Sequence, residues 1–249
     1  MVGISNRLDP IKLARWVELQ TVAEFEKTAS SFICEHLKDA TQGNQRATLF
    51  LSGGSTPGPI YQSLGTQNLD WANIVTAQVD ERWVGLNNPG SNAALIKRTL
   101  LKNQALNAEF IRMKSRHKSA QKAQAVIESR YRELPWDKSL AVLGMGLDGH
   151  VGSWFAGAQG TPQALDPGNL NLVQAIMAKP SVITGSYLER MTLTLTALKH
   201  CGSILLLIKG TKKKALLSRA MKDRPQELAV THLLNAVENR MTIMYADVS

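Results

Sequence analysis

The sequence predicts an α/β fold in which a mostly parallel sheet is flanked by helices. Short continuous apolar runs, which are typical of strands buried on both faces, alternate along the chain with longer segments of helical periodicity. Alternation of this kind builds βαβ units and therefore parallel strands. Unusual chemistry also follows four of the predicted strands, and ligands of such sheets bind beyond the carboxyl ends of the strands. One shared crevice is the simplest expectation.

The first elements in chain order are a helix, a strand and a second helix. Thr21 and Glu24 form a capping box, and the apolar positions that follow keep helical spacing. Residues 47–51 (ATLFL) predict a strand buried on both faces. Thr56 followed by Pro57 predicts the N-cap and the first position of the next helix.

The same order of elements repeats downstream. The predicted strands cover residues 74–79, 140–143, 204–208 and 241–246, and the predicted helices cover about residues 92–101, 119–134 and 211–221, the first of them capped by Ser91 or Asn92. Residues 191–198 (MTLTLTAL) fit either a strand or the start of a half-buried helix. Residues 157–168 read as a long surface loop.

The composition is that of a globular protein, since 44% of the 249 residues are apolar and 20% are charged. This length allows one substantial core or two modest lobes, and with no clear linker we expect one domain over residues 1–249. No apolar stretch approaches the ~18 residues that a membrane-spanning helix needs. Residues 1–16 lack the apolar core of a secretory signal. We therefore expect a cytoplasmic protein without a membrane partner.

The net charge of +9 suits a nucleic acid, an acidic membrane surface or a small anionic substrate. The densest basic segment, residues 112–118 (RMKSRHK), has no interleaved aromatic residues and predicts a solvated loop, so we expect no nucleic acid partner. Cys34 and Cys201 lack CxxC spacing and are expected to be buried thiols. The histidines show no HxxxH or HxH spacing, so we do not expect a metal site. We expect a monomer or a weak homo-oligomer.

The segment LSGGSTP, at the end of the strand at 47–51, predicts a phosphate-binding loop. Gly53 and Gly54 let backbone N–H groups approach a ligand, and Ser55 and Thr56 add hydroxyl groups at the positive end of a helix. The segment does not match GxxxxGK[ST] or GxGxxG, so nucleotide-binding motifs are not supported. A tight turn whose glycines serve only the backbone geometry is the alternative.

Two of the other strand ends carry cations. Lys212, Lys213 and Lys214 crowd the first turn of a helix, where the dipole disfavours each cation by roughly 0.3–1 kcal/mol unless an anion is bound. Arg82 follows two acids and could present a fork to a phosphate or carboxylate. The alternatives are lysines extended into water and a structural salt bridge.

The segment VLGMGLDGHVGSW places an acid and a base among four glycines after a buried strand. His150 can take a proton from water near neutral pH, and an acid such as Asp148 can orient its ring. A lone histidine is more often structural, but one between glycines at a strand end, opposite a phosphate loop, is a better candidate for a general base.

Together these motifs resemble the 6-phosphogluconolactonase family. LSGGSTP, VDERWV, LGMGLDGH, RMTLTLTAL and IKGTKKKA occur in this order and spacing, from about Phe25 to Val248. The resemblance implies a Rossmann-like fold of the NagB/RpiA/CoA transferase-like type. It also implies hydrolysis of 6-phosphoglucono-1,5-lactone to 6-phosphogluconate in the oxidative pentose phosphate pathway, with no metal or organic cofactor.

The resemblance also implies roles for single residues. His150 matches the general base, with Asp148 or Asp80 steadying the imidazolium, and the backbone N–H groups of the glycine loop are expected to receive the oxyanion. The matching substrate-binding positions are Gly53, Gly54, Ser55, Thr56, Arg82, Arg190 and Lys213. Arg190 is nominated only by the resemblance, and the KKK run leaves the register of Lys213 uncertain by one residue.

The chain departs from the family pattern after the histidine. Lactonases commonly have SLFPG there, whereas this chain has SWFAG, so Trp154 and Ala156 are expected to reshape the floor of the sugar site. The related deaminases place a glutamate at the position of Phe155, which cannot relay a proton. An isomerase or deaminase, and a non-catalytic sugar-phosphate-binding protein, remain the alternatives.

Overall fold

The computed structural model describes residues 14–247 and centres on a seven-stranded parallel sheet. In spatial order the strands are β1 (Arg15–Leu19), β10 (Met241–Ala246), β9 (Ser203–Lys209), β6 (Ser139–Gly144), β2 (Ala47–Leu51), β3 (Ile74–Gln78) and β5 (Glu109–Ile111). The predicted parallel α/β fold is therefore confirmed. Residues 1–13, on which most of the signal-peptide prediction rests, and residues 248–249 lie outside the described part.

Helices cover both faces of this sheet. They are α1 (Val22–Ala40), α2 (Pro57–Leu64), α3 (Asn92–Thr99), α4 (Ala120–Arg132), α5 (Thr161–Leu165), α6 (Leu195–His200), α7 (Thr211–Asp223) and α8 (Ala229–Val237). Because side chains alternate along a strand, Leu49 and Leu51 of β2 pack in the core with α1, α2 and α3, while Phe50 packs in the opposite core with α4, α7 and α8. This explains why the strand at 47–51 is apolar throughout.

Several helix starts follow the predicted capping chemistry. The side chain of Thr21 accepts from the N–H of Glu24, whose carboxylate accepts from the N–H of Thr21 in return. Ser91 caps α3 and Ser119 caps α4 through their hydroxyl groups. The prediction for α2 was wrong in one respect, because Thr56 has helical backbone angles and its side chain makes no capping hydrogen bond. The Thr56 hydroxyl is therefore not used in capping, and Thr56 lies beside the carboxyl ends of the parallel strands.

A second, antiparallel sheet of three strands was not predicted. It consists of β4 (Asp80–Arg82), β8 (Glu189–Leu193) and β7 (Val173–Met177), in the order β4-β8-β7. The DER segment is thus a separate strand and not the end of β3. The ambiguous run at 191–198 satisfies both predictions, since it begins inside β8 and continues into α6 after the Thr194 cap. This small sheet places Asp80, Arg82 and Arg190 beside the segments that follow β2 and β6 of the parallel sheet.

Other predictions met mixed outcomes. The surface loop at 157–168 contains α5, and Ala158, Thr161 and Ala164 are buried, so part of it belongs to the core. Cys34 and Cys201 are both buried free thiols, as expected. The edge strands β1 and β5 were not predicted. No helix in the described range is long and apolar enough to span a membrane.

Candidate active site

All four predicted strand ends meet in one cleft at the carboxyl ends of the parallel strands. Its volume is about 250 Å³. The lining includes Ser52, Gly53, Gly54, Ser55, Thr56, Asp80, Arg82, Asn92, Gly144, Gly146, His150, Gly152, Arg190 and Lys213. The structure therefore brings together every residue that the sequence nominated for binding, together with His150 and Asp80, and Asp148 lies directly behind His150.

His150 and Asp148 form a close pair within the loop that follows β6. Nδ1 of His150 lies 2.5 Å from Oδ1 of Asp148, and the backbone N–H of His150 donates to the same oxygen at 3.2 Å. The two side chains are 21% and 30% exposed, so neither is sealed from water, and of the two His150 lines the cleft. Asp148, and not Asp80, is the acid in contact with the imidazole.

The ionisation of Asp148 fixes the tautomer of His150. Burial raises the pKa of the Asp148 carboxyl, but the hydrogen bonds and charge of His150 together outweigh burial and bring that pKa below its usual value. An ionised carboxylate can only accept hydrogen bonds. The neutral ring must therefore hold its proton on Nδ1, which leaves the lone pair of Nε2 available to take a proton.

Gly146 provides the space that this pair occupies. A Cβ at this position would lie 2.2 Å from Nδ1 and Cε1 of His150 and 2.6 Å from Oδ1 of Asp148. The turn is closed by the N–H of Gly146, which donates to the carbonyl of His150, and by the N–H of Gly149, which donates to that of Gly146. Both N–H groups are thus already used within the turn, so an oxyanion would have to accept from another N–H group of the glycine loop.

The loop at 53–56 has the opposite property. Within the described part of the chain, none of the N–H groups of Gly53, Gly54, Ser55 and Thr56 donates a hydrogen bond. These groups precede the N-terminus of α2 and border the cleft. Free N–H groups at a helix N-terminus are a ready anion site. These N–H groups are therefore free to donate to an anion such as a phosphate.

Asn92 is a cleft residue that the sequence suggested only as a helix cap. Its Nδ2 donates to the backbone oxygen of Asp80 at 2.9 Å and to Oδ1 of Asp80 at 3.0 Å. Its side chain also fills the space beside Gly53, where an added Cβ would lie 1.9 Å from Oδ1 of Asn92. Glycine is required at 53 for this reason. No local pattern could have indicated the contact, because it joins two helix N-termini.

Asp80 is held by groups other than the histidine. Oδ2 of Asp80 accepts from Oγ of the buried Ser153 at 2.6 Å, and Oδ1 accepts from Asn92. Its neighbour Glu81 points away and accepts from the N–H groups of Asn92 and Ala93 at the start of α3. Burial raises the pKa of the Glu81 carboxyl, and these hydrogen bonds oppose that rise. In the DER strand, Asp80 and Arg82 thus line the cleft, whereas Glu81 holds the start of α3.

The two arginines of the cleft are partners in the small sheet, where Arg82 lies opposite Arg190. Nη1 of Arg82 donates to the carbonyl of Gly90 at 2.6 Å. Arg190 is almost fully buried, and its Nε and Nη2 donate to the carbonyls of Tyr187 and Thr184. Burial lowers the pKa of Arg190, and Asp80, 3.9 Å from Nη1, opposes this. The fixed guanidinium groups place two positive charges at one wall.

The structure separates the three lysines at the start of α7. Lys213 lines the cleft, whereas Lys212 is exposed and Nζ of Lys214 donates to Glu18 at 2.7 Å. Burial lowers the pKa of Lys213, Asp148 raises it, and Lys209 lowers it again. The predicted register, in which the middle lysine faces the site, matches this placement.

The segment after the histidine does not reshape the cleft in the expected way. Trp154 is buried in the core, and its Nε1 donates to the carbonyl of Leu193 at 2.8 Å. Ala156 is exposed, and neither residue lines the cleft. Phe155 instead packs between the two functional groups, with its ring centroid 4.5 Å from that of His150 and 5.2 Å from the guanidinium carbon of Arg190.

Residues 14–247 contain no group of three or more His, Cys, Asp or Glu side chains that could hold a metal ion. The chemistry that the cleft can perform with its own residues is proton transfer at His150, beside a cluster of anion-binding groups.

Comparison with known sequences identifies relatives over most of the chain. The family model for glucosamine-6-phosphate isomerases/6-phosphogluconolactonase matches residues 20–242. The chain is 33% identical over 201 residues to a 6-phosphogluconolactonase of Rhizobium meliloti, which covers 80% of this chain and 84% of that relative. It is also 33% identical over 217 residues to a 6-phosphogluconolactonase of Pseudomonas aeruginosa, with coverage of 86% and 89%.

Solved structures agree on the fold. A crystal structure of a 6-phosphogluconolactonase from Shewanella baltica superposes with a TM-score of 0.86 at 27% identity, covering 96% of this chain and 99% of that one. A monomeric glucosamine-6-phosphate deaminase superposes with a TM-score of 0.76 at 18% identity, covering 93% and 97%. At that identity the second likeness shows a shared fold alone.

Proposed function

Because the chain belongs to the glucosamine-6-phosphate isomerase/6-phosphogluconolactonase family, we propose that it hydrolyses 6-phosphoglucono-1,5-lactone to 6-phosphogluconate, with His150 as the general base. This reaction belongs to the oxidative pentose phosphate pathway. The observation that carries the proposal is the His150–Asp148 pair, which shares one cleft with the free N–H groups of residues 53–56 and with three cations.

Substrate binding uses the anionic end of the lactone. The phosphate accepts hydrogen bonds from the backbone and hydroxyl groups of Gly53, Gly54, Ser55 and Thr56 at the start of α2. Arg82, Arg190 and Lys213 add positive charge around the same space. With the phosphate held at one end, the lactone carbonyl lies toward His150.

The chemical step is a general-base hydrolysis. Nε2 of His150 takes a proton from a water molecule as the water oxygen forms a bond to C1 of the lactone. Asp148 stabilises the imidazolium through Nδ1–H. The tetrahedral intermediate then collapses, the bond between C1 and the ring oxygen breaks, and His150 returns its proton to that oxygen. The product is an open-chain acid, and the histidine is regenerated.

Phe155 argues against the isomerase or deaminase alternative. The ring is buried against His150 and offers no proton donor or acceptor where the deaminases carry a glutamate. A δ-lactone is already reactive, so a positioned base that contributes about 10²–10⁴-fold can suffice together with orientation. No second acid–base group is required on that face.

The decisive experiment is turnover of lactone made in situ by oxidation of glucose 6-phosphate. Acid release should be much faster with the protein than without it, and His150→Ala should remove most of this difference while 6-phosphogluconate still binds. His200→Ala, at an exposed histidine elsewhere, is the matched control and should retain full activity. Acid release at the uncatalysed rate, with the product still bound, would instead identify a non-catalytic sugar-phosphate-binding protein.

Cellular location and assembly complete the proposal. We infer a cytoplasmic enzyme, since the substrate and product of this reaction are phosphorylated metabolites, and a monomer or weak homo-oligomer, since the cleft is formed by residues of a single chain. Light scattering at micromolar concentration tests the assembly state, and a stable tetramer would contradict it.

A further inference from the structure

A second concave site lies outside the catalytic cleft, between the end of β5, residues 112–117 and α4. Its volume is about 580 Å³. We call it the basic groove, because its lining includes Arg112, Lys114, Arg116, His117 and Arg130. The remaining lining is Phe110, Ile111, Ser115 and Val126, and it includes no carboxylate. The groove thus concentrates cations without any acidic residue in its wall.

The segment that forms the groove is fixed by contacts with the core. Met113 is fully buried, and its N–H donates to Oε1 of Gln78 at 2.9 Å. Nε1 of Trp83 donates to the carbonyl of His117 at 3.3 Å. Arg112 and Lys114, which flank the buried Met113 in sequence, both line the groove. The solvated loop predicted at 112–118 is therefore tied to the fold at two points.

The groove cations lack acidic partners. Among residues 14–247, no carboxylate oxygen lies within 4.0 Å of a side-chain nitrogen of Arg112, Lys114, Arg116 or Arg130. Nε of Arg112 is buried and makes no hydrogen bond in that range. Nζ of Lys114 donates to the carbonyl of Ser115 and lies 4.2 Å above the Trp83 ring.

Lys114 feels charges of both signs. Burial lowers the pKa of its ammonium group, Glu189 raises it, Arg112 lowers it and Glu81 raises it. The carboxylate of Glu189 is already engaged by the N–H of Ala120 at the start of α4. A bound anion would satisfy donors that the protein leaves unused.

The geometry of the groove indicates the kind of anion. A cleft lined by one sign of charge focuses the field and concentrates counter-ions. One short segment and one helix face bound the groove, so it suits a small molecule better than a polymer. Arginine and lysine side chains spread over several positions can contact more than one anionic group.

We propose that the basic groove binds a small anion with adjacent phosphate groups, such as the phosphate chain of a nucleotide or an inorganic polyphosphate. This site is separate from the cleft, because Arg82 faces the cleft whereas the next residue, Trp83, lies behind Lys114. The proposal does not depend on the proposed function, and binding can be measured without turnover.

The test is calorimetric titration of the full chain at fixed ionic strength with tripolyphosphate, ATP and orthophosphate. The variant is the pair Arg116→Gln and Arg130→Gln, at two exposed positions. The matched control is the pair Lys102→Gln and Lys122→Gln, which removes the same charge from exposed positions outside the groove. Both variants keep the catalytic cleft, so any binding there is common to both.

We expect tripolyphosphate or ATP to bind the control as it binds the wild type, and to bind the groove variant about tenfold more weakly, since two charge-assisted contacts are lost. If both tripolyphosphate and ATP bind, the groove recognises the phosphate chain that they share. If only one of them binds, the groove selects an inorganic polyphosphate or a nucleotide accordingly. Equal affinities in the two variants, equal affinity for orthophosphate, or no binding of either ligand would overturn the proposal. Fluorescence of Trp83, beneath Lys114, gives an independent signal, with Trp83→Phe as its blank.

Discussion

The imidazole of His150 and the carboxylate of Asp148 are joined by a 2.5 Å contact between Nδ1 and Oδ1, although only one residue separates them in the chain. Such proximity needs a tight turn, which the backbone hydrogen bonds from Gly146 and Gly149 close. Gly149 has a φ of +80°, which a residue with a side chain rarely adopts. The turn thus fixes the proposed general base and the acid in contact with it as one unit.

Asp148→Asn should lower kcat by roughly 10²-fold or more and leave KM nearly unchanged. The amide cannot impose the Nδ1–H tautomer, and Asp148 contacts His150 but is not among the residues that line the cleft with the loop at 53–56. Steady-state kinetics on freshly made lactone check this. Asp80→Asn is the matched comparison, and it should affect KM more than kcat, because Asp80 bonds to Ser153 and Asn92. A larger loss of kcat in Asp80→Asn would contradict the assignment of Asp148.

The lowered pKa of Asp148 also predicts a pH dependence of stability. The unfolded carboxyl binds its proton at higher pH than the folded one, so the carboxylate stabilises the fold above its ordinary pKa of 3.8. This contribution is lost as the pH falls through the lowered folded value. In urea unfolding from pH 5 downwards, the excess stability of the wild type over Asp148→Asn should shrink below about pH 4. A difference that grows on acidification would show that the sign is wrong.

Gly146→Ala should abolish most of the activity without unfolding the protein. The new methyl group would occupy the place of the His150 ring, so the imidazole must leave its position against Asp148. We expect a loss of kcat approaching the ~10²–10⁴-fold of a missing base, with product affinity retained. Gly85→Ala is the control, because a Cβ there meets nothing within 4 Å and Gly85 does not line the cleft. Equal kinetics in the two variants would refute the steric argument.

The part of the fold predicted from sequence is the part with strong local signals. β2 and β10 were predicted with their observed bounds, because strands buried on both faces are apolar throughout. The edge strand β1 and the three-residue strand β4 have no such run. β4 forms because Asp80 and Arg82 find partners on β8, more than a hundred residues away in sequence. Local periodicity carries no information about such pairing.

In the candidate site, too, only the residues with a local sequence signal could be predicted. His150 and the loop at 53–56 could be nominated because glycines beside functional groups at a strand end are unusual in themselves. Asn92 and Phe155 could not, because their importance lies in contacts with Gly53 and Arg190 that only the folded chain creates. Arg190 needed the family resemblance, since its strand was ambiguous.

Lys213→Gln should raise KM by about tenfold and change kcat little, because the lysine offers the substrate a charge-assisted contact that is present before and during the reaction. Lys212→Gln provides a control one residue away, at an exposed position that does not line the cleft. Kinetics of the two variants at equal ionic strength make the comparison. A greater effect at Lys212 would shift the register of the binding lysine.

Phe155→Leu should reduce kcat and raise KM together, each by up to about tenfold, because ring contacts of this kind contribute on the order of 1 kcal/mol. The Phe155 ring packs against both the imidazole of the proposed general base and the guanidinium of Arg190, so neither stays fixed when the flat face is lost. Trp154→Phe is the control at the adjacent position. It breaks the hydrogen bond to Leu193 in the core, so it should lower the melting temperature but leave the kinetics of the folded enzyme unchanged. If Trp154→Phe altered kcat and KM as much as Phe155→Leu does, the effect would come from loosening of the core and not from contact with the two functional groups.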